Sequence, residues 1–180
     1  MAFLVIVEDG SFFAVTSCQR ATDTPGARLS AKGPLLQELH CMLERDIVSV
    51  SFSHLPDETW VAATSAACRL GMDAARASEF GPDFPLGKVF HPQELAGGHP
   101  PARLWAMKEA VAKARGCGFN GLNPLDITLR PDLGLAWIHN EETIPFHIWS
   151  RRQETDTWIA LAYADIIHHF PIFVGNKEGK

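Results

Sequence analysis

Cysteine is scarce: Cys18, Cys41, Cys68 and Cys117 are the only four in 180 residues, and no two form a CxxC pair. That spacing excludes a disulfide-stapled secreted scaffold and lacks a zinc-site signature, so reduced thiols in a cytoplasmic setting are expected. Long hydrophobic runs are missing as well. The apolar start of MAFLVIVEDG has no basic flank, and a run of about six residues is too short for a signal peptide or a membrane helix. Positive charge is not in excess either: the net charge of −5 argues against a general nucleic-acid binder. A local basic pocket for one anionic ligand stays compatible with it. With 46% hydrophobic and 21% charged residues, the composition is that of a folded soluble chain. At this length the chain suits one compact unit or two small halves sharing an interface.

Patterning along the chain predicts an α+β protein. Residues 2–8 and 11–17 have strand composition, with Asp9-Gly10 between them as a hairpin turn signal. From Ala27 to Glu44, Leu29, Leu35, Leu36, Leu39 and Leu43 recur at helical spacing, and Gly33-Pro34 is expected to kink or restart that helix. Strands follow at 48–52, 60–64 and 70–73. Residues 80–101 hold five prolines and four glycines, which marks a loop, with a short helix after His91-Pro92. The predicted helix 102–115 comes next, then strands at 127–129, 135–139, 144–149 and 158–164. Asp57–Ala63 (DETWVAA) resembles Thr155–Leu161 (TDTWIAL), each following a strand and a turn. Two related halves would produce such a repeat. The expected architecture is therefore two pseudo-symmetric halves, residues 1–75 and 76–180, each a small antiparallel sheet packed on a long helix, with any site in the cleft between them.

The most unusual stretch is WAMKEAVAKARGCGF, residues 105–119, which sets Lys108, Glu109 and Lys113 into an otherwise apolar helix closed by two glycines. Leu104, Met107, Val111 and Ala114 line one stripe, and Glu109 and Lys113 stand one turn apart on a neighbouring face. On spacing alone this is a surface ion pair worth about 0.3 to 0.5 kcal/mol. Two further stretches add chemistry: Phe52-Ser53-His54 at a strand end, and Leu70-Gly71-Met72-Asp73, where a lone carboxylate closes a short apolar run.

Taken in order, Ser53-His54, Gly71-Met72-Asp73 and Trp105 through Lys113 with Gly116 and Gly118 resemble the motifs of the 4'-phosphopantetheinyl transferase superfamily. The third motif is the specific one. The likeness runs from Ala27 to Ala164 and is closest to the surfactin-synthetase-activating type built from two similar halves. His91-Pro92-Gln93-Glu94 and Asn123-Pro124-Leu125-Asp126 are similar to the segments flanking that family's main helix.

The resemblance implies transfer of the phosphopantetheine arm of coenzyme A to a serine of an acyl or peptidyl carrier protein, releasing 3',5'-ADP, with Mg²⁺ beside the pyrophosphate. By the same likeness Asp73 and Glu109 hold the metal, and Glu109 is also the candidate base for the carrier serine. Lys113 neutralises the pyrophosphate and can protonate the leaving group. Lys108 contacts phosphate or braces the site. Ser53, His54 and Arg28 meet the 3'-phosphate of coenzyme A, the guanidinium suiting a phosphate because it bonds bidentately. No membrane or nucleic-acid partner is implied. Two departures stand out. Ala75 occupies a position where many relatives carry a second acid, and the segment between Glu44 and Phe52 leaves little room for a loop over the adenine. They motivate an alternative, a weak or inactive paralogue that still binds coenzyme A. Outside the motifs, His168-His169 read as surface histidines, Trp105, Trp137, Trp149 and Trp158 as core or interface aromatics, and Arg151-Arg152 as a solvated pair.

Overall fold

The computed structural model describes residues 2–6, 12–139 and 145–165. The predicted turn at Asp9-Gly10, the strand start at Ile144, His168-His169 and the tail from Gly175 lie outside them. In chain order the elements are β1 (Ala2–Ile6), β2 (Phe12–Gln19), α1 (Pro25–Leu43), β3 (Ser49–His54), β4 (Glu58–Thr64) and β5 (Cys68–Arg76). Then come α2 (Leu86–Val89), α3 (Pro92–Ala96), α4 (Pro101–Arg115), β6 (Ile127–Arg130), β7 (Leu135–Ile138), β8 (Phe146–Arg152) and β9 (Thr157–Asp165). The strands form two antiparallel sheets, ordered β1-β2-β4-β3 and β5-β9-β8-β7-β6. No described helix is long and apolar enough to cross a membrane.

Alternation along the strands dictates how the layers stack, because successive side chains point to opposite faces. On β5, Leu70, Met72 and Ala74 join Ile159, Leu161 and Tyr163 of β9 against Phe13, Val15, Trp60 and Ala62 of the first sheet. The intervening Ala75, Ala160, Ala162 and Ala164 face α4 instead. Ala14, Val61 and Ala63, on the far side of the first sheet, pack on Leu35 and Leu39 of α1. The order of layers is thus α1, first sheet, second sheet, α4.

Small residues under α4 let the helix sit unusually close. A Cβ placed on Gly71 would lie 2.5 Å from the Ala114 nitrogen and 2.9 Å from the Ala110 carbonyl carbon, and closer still to the Ala110 oxygen. Only glycine fits there. The predicted stripe of Leu104, Met107, Val111 and Ala114 is buried, but so are Ala102, Ala106, Lys108 and Ala112. Phe80, Phe84, Leu86, Val89 and Leu95 pack on the same core, and Phe84 and Phe90 meet Trp105 of α4 edge-on.

Two helical expectations need correction. Of the kink or restart expected at Gly33-Pro34, the restart does not occur: α1 runs from Pro25 to Leu43 with Pro34 inside it, under a Thr24 cap whose Oγ1 accepts from the Ala27 N–H. Ser30 and Pro34 both face solvent, so water can take the carbonyl that the proline leaves without a donor. Leu29, one of the leucines that recur at helical spacing, is 70% exposed, because only the face bearing Leu35 and Leu39 meets the sheet.

The predicted strand at 70–73 is longer, Cys68–Arg76, and it hydrogen-bonds with β9 in the second sheet. Its other edge meets β3 through side chains rather than a backbone ladder. Ser49 Oγ accepts from Cys68 N at 3.3 Å, Ser51 Oγ from Met72 N at 2.9 Å, and Ser53 Oγ from Ala74 N at 3.1 Å. Three alternate serines thereby seal a strand edge that would otherwise leave amides unpaired.

Candidate active site

The serine seam ends at a polar cluster. Ser53 Oγ donates to Asp73 Oδ1 at 2.8 Å while accepting from Ala74 N, and both residues are buried, at 2% and 4% exposure. Lys113 reaches across from α4 and donates to the same Asp73 oxygen at 2.7 Å and to the Phe52 carbonyl at 3.2 Å. Lys113 therefore pairs with Asp73, not within the helix as a surface Glu-Lys pair would. Glu109, one turn earlier, completes the group. Its carboxyl is pushed up to about 7, first by burial and then by the Asp73 charge, with Lys113 partly offsetting both. Four of the predicted residues, Ser53, Asp73, Glu109 and Lys113, are brought together from β3, β5 and α4.

A basic shell adjoins them. His54 Nδ1 lies 3.1 Å from Thr59 Oγ1. The His54 pKa is lowered by burial and then by the nearby charges of Arg28, Arg20, Lys32 and Lys113. Arg28 holds Asp23 in a fork, Nε and Nη2 each at 2.7 Å from one carboxylate oxygen, and Arg20 adds a bond at 2.8 Å. Together they keep the Asp23 carboxyl well below the usual carboxylate range. Lys32 sits 4.8 Å over the Phe52 ring. A chain of net charge −5 thus gathers four cations around one histidine. Sequence reading found Arg28 and missed Arg20 and Lys32. The one available signal was that Lys32 follows Arg28 by a helical turn.

Lys108 does not join the cluster. Its side chain is fully buried on another face of α4, where Nζ contacts Glu94 Oε2 at 2.9 Å and donates to the carbonyls of Pro124 and Ile127 at 2.9 and 2.8 Å. All three ammonium protons are engaged, leaving none for a phosphate. Glu94 in turn accepts from Leu129 N and His91 N, both at 2.9 Å, so the pair ties α3, α4 and β6 together. Of the two roles expected for Lys108, contact with phosphate or support of the site, this geometry suits support. Ala75 is buried in the α4 core and offers no oxygen.

Among the described residues no group of three or more His, Cys, Asp and Glu side chains is arranged so that it could hold a metal ion. Asp73 and Glu109 are two hard oxygen donors, and the Asp73 charge adds to burial in raising the Glu109 carboxyl. That donor set fits Mg²⁺, an ion commonly held by one or two carboxylates with substrate phosphates and water completing its shell.

Carboxylates, an ammonium and a basic shell thus meet at one seam of a two-sheet α+β fold. The family model of the 4'-phosphopantetheinyl transferase superfamily matches residues 69–164, more than half of the chain, and the protein belongs to that superfamily. Members are phosphopantetheinyl transferases that use coenzyme A as co-substrate. No curated protein matches this chain.

Proposed function

We propose that this protein transfers the 4'-phosphopantetheine arm of coenzyme A to a serine hydroxyl of an acyl or peptidyl carrier protein, with Mg²⁺ bound and 3',5'-ADP released. The observation that carries this reading is the meeting of Asp73, Glu109 and Lys113 beside the cations around His54. Asp73 and Glu109 would hold the ion. Bound there, it would supply positive charge to the pyrophosphate oxygens as the phosphoanhydride breaks.

The chain's own residues account for the remaining chemistry. His54 and Arg28, with Arg20 and Lys32 beside them, bind the 3'-phosphate and so orient the pyrophosphate toward Asp73, while Ser53, whose one hydroxyl proton goes to Asp73, positions that carboxylate rather than meeting the phosphate. Glu109 takes the proton of the carrier serine as its oxygen attacks the phosphorus of the arm. Lys113 stays close to the phosphate oxygens that leave on 3',5'-ADP and can return a proton to them. Lys108 and Glu94 hold α4 in place from behind. On the same reading the chain is two related halves divided near residue 75, since the repeated segments at 57–63 and 155–161 each open an interior strand, β4 and β9.

The test is intact-mass analysis of several apo carrier proteins incubated with this protein, coenzyme A and Mg²⁺, beside Asp73→Ala and Glu109→Ala. The expected result is a phosphopantetheine mass gain that both substitutions abolish. Coenzyme A binding with no gain on any carrier would instead mark a paralogue that keeps the site without turnover, the outcome that Ala75 makes worth testing.

A further inference from the structure

Helix α4 carries two ion pairs that differ in one respect. The Lys108 ammonium is fully enclosed, with its protons engaged by Glu94 and two main-chain carbonyls. The Lys113 side chain is 29% exposed, whereas that of its partner Asp73 is only 5% exposed. A flexible four-carbon stem in that position can turn toward solvent without opening the core, while the carboxylate stays fixed within β5. The Lys113 ammonium donates to Asp73 Oδ1 at 2.7 Å and to the Phe52 carbonyl at 3.2 Å, and Ser53 Oγ donates to the same carboxylate oxygen at 2.8 Å. Asp73 is thus already supplied with a cation and a hydroxyl proton from the chain itself.

A magnesium ion lies about 2.1 Å from its oxygen ligands. With the ammonium still in place, two cations on that Asp73 oxygen would stand no more than about 5 Å apart. The single negative charge of Asp73 cannot balance both, so an ion entering the carboxylate pair competes with Lys113. Phosphate oxygens offer the ammonium another anionic partner. We propose that Lys113 is a releasable stopper of the metal site: it holds Asp73 until a phosphate-bearing nucleotide draws it away, and that release opens the carboxylate to the divalent ion. Naming the nucleotide as coenzyme A and the ion as Mg²⁺ rests on the proposed transfer reaction; the competition for Asp73 rests on the ion pair alone. Metal and nucleotide then favour each other's binding through Lys113 as well as through shared phosphate oxygens, and by linkage the effect is reciprocal. The arrangement keeps metal from settling on the carboxylates ahead of the substrate.

Calorimetric titration of Mg²⁺ without nucleotide, on the full chain and on Lys113→Met and Lys113→Gln, tests this. The glutamine keeps a donor for Asp73 and removes only the charge, so it serves as the folded variant should the methionine leave that carboxylate too poorly paired. Both variants are expected to bind Mg²⁺ at least about fivefold tighter than the parent, the lower end of ordinary coupling between sites. Lys32→Ala, whose charge lies over the Phe52 ring instead of on Asp73, should gain little, because a charge without contact is largely screened. In saturating coenzyme A the advantage of the Lys113 variants should vanish, since the parental ammonium has then moved to phosphate. Variants that bind Mg²⁺ no tighter than the parent, or a gain that persists undiminished with coenzyme A bound, overturn the proposal. The two readings fail separately. Carrier modification with no Mg²⁺ gain in the variants removes the stopper and leaves the transferase, whereas a gain in a chain that modifies no carrier removes the transferase and leaves Lys113 as the competitor for Asp73.

Discussion

Gly71→Ala is the substitution that most directly tests how the fold builds the site. The added methyl would lie 2.5 Å from the Ala114 nitrogen, where ordinary contact begins near 3.4 Å, and it meets backbone rather than a side chain that could swing away. Relief requires α4 and β5 to part by about an ångström. Overpacking of this kind costs about 1–3 kcal/mol, and the upper end applies because both partners are regular backbone inside one core. For a chain of this size about 3 kcal/mol lowers Tm by roughly 6–12 °C. The same movement draws Glu109 and Lys113 away from Asp73, and a misplacement of about 1 Å at a reacting centre can cost on the order of a hundredfold in rate. Thermal melts followed by circular dichroism, run beside the carrier-protein mass assay at a temperature where the variant is folded, measure both effects. A variant that melts within 2 °C of the parent and transfers at the parental rate would refute the close packing of α4 on β5 and its role in the site.

Other outcomes follow from the same geometry. In the absence of metal, Glu109 favours its protonated form in the fold, with a pKa of about 7 against 4.5 for the free group. Its stabilising contribution is complete below about pH 4.5 and is lost as pH rises through 7, by at most about 3 kcal/mol. Denaturant titrations across that window should show this slope in the parent and lack it in Glu109→Gln. Binding of Mg²⁺ should tighten over the same range, with proton release visible as a buffer-dependent calorimetric heat. Lys108→Met leaves Glu94 buried without its ammonium partner and is expected to cost about 3–5 kcal/mol in equilibrium unfolding. Arg28→Ala and Lys32→Ala should weaken coenzyme A severalfold and leave 3'-dephospho-coenzyme A unaffected; equal losses for both would move the basic shell away from the 3'-phosphate.

Much of the secondary structure could be read from residue pattern. Helix 102–115 and strand 158–164 lie within one residue of α4 and β9, because a helical stripe marked the first and a short continuous apolar run the second. That Asp73, Glu109 and Lys113 meet was legible from the motifs, yet the actual pairing was not, since Lys113 crosses to β5 instead of bonding along its own helix. Lys108 looked like a site lysine because sequence does not reveal that α4 is covered on two sides, which turns one cationic face inward onto Glu94. The seam of Ser49, Ser51 and Ser53 was hidden for a similar reason: alternate serines in a strand suggest a solvated face, and only the tertiary arrangement sets them against the edge of β5.

That seam has a thermodynamic consequence. One hydroxyl, Ser53 Oγ, both closes the contact between the sheets at Ala74 and holds the carboxylate at Asp73. Any ligand that draws charge from Asp73 therefore changes the strength of an inter-sheet bond, and by reciprocity the cohesion of the sheets biases the affinity of that ligand. Amide exchange at Ala74 is in effect an occupancy gauge for the site, read from the backbone of a strand that the substrate never has to touch.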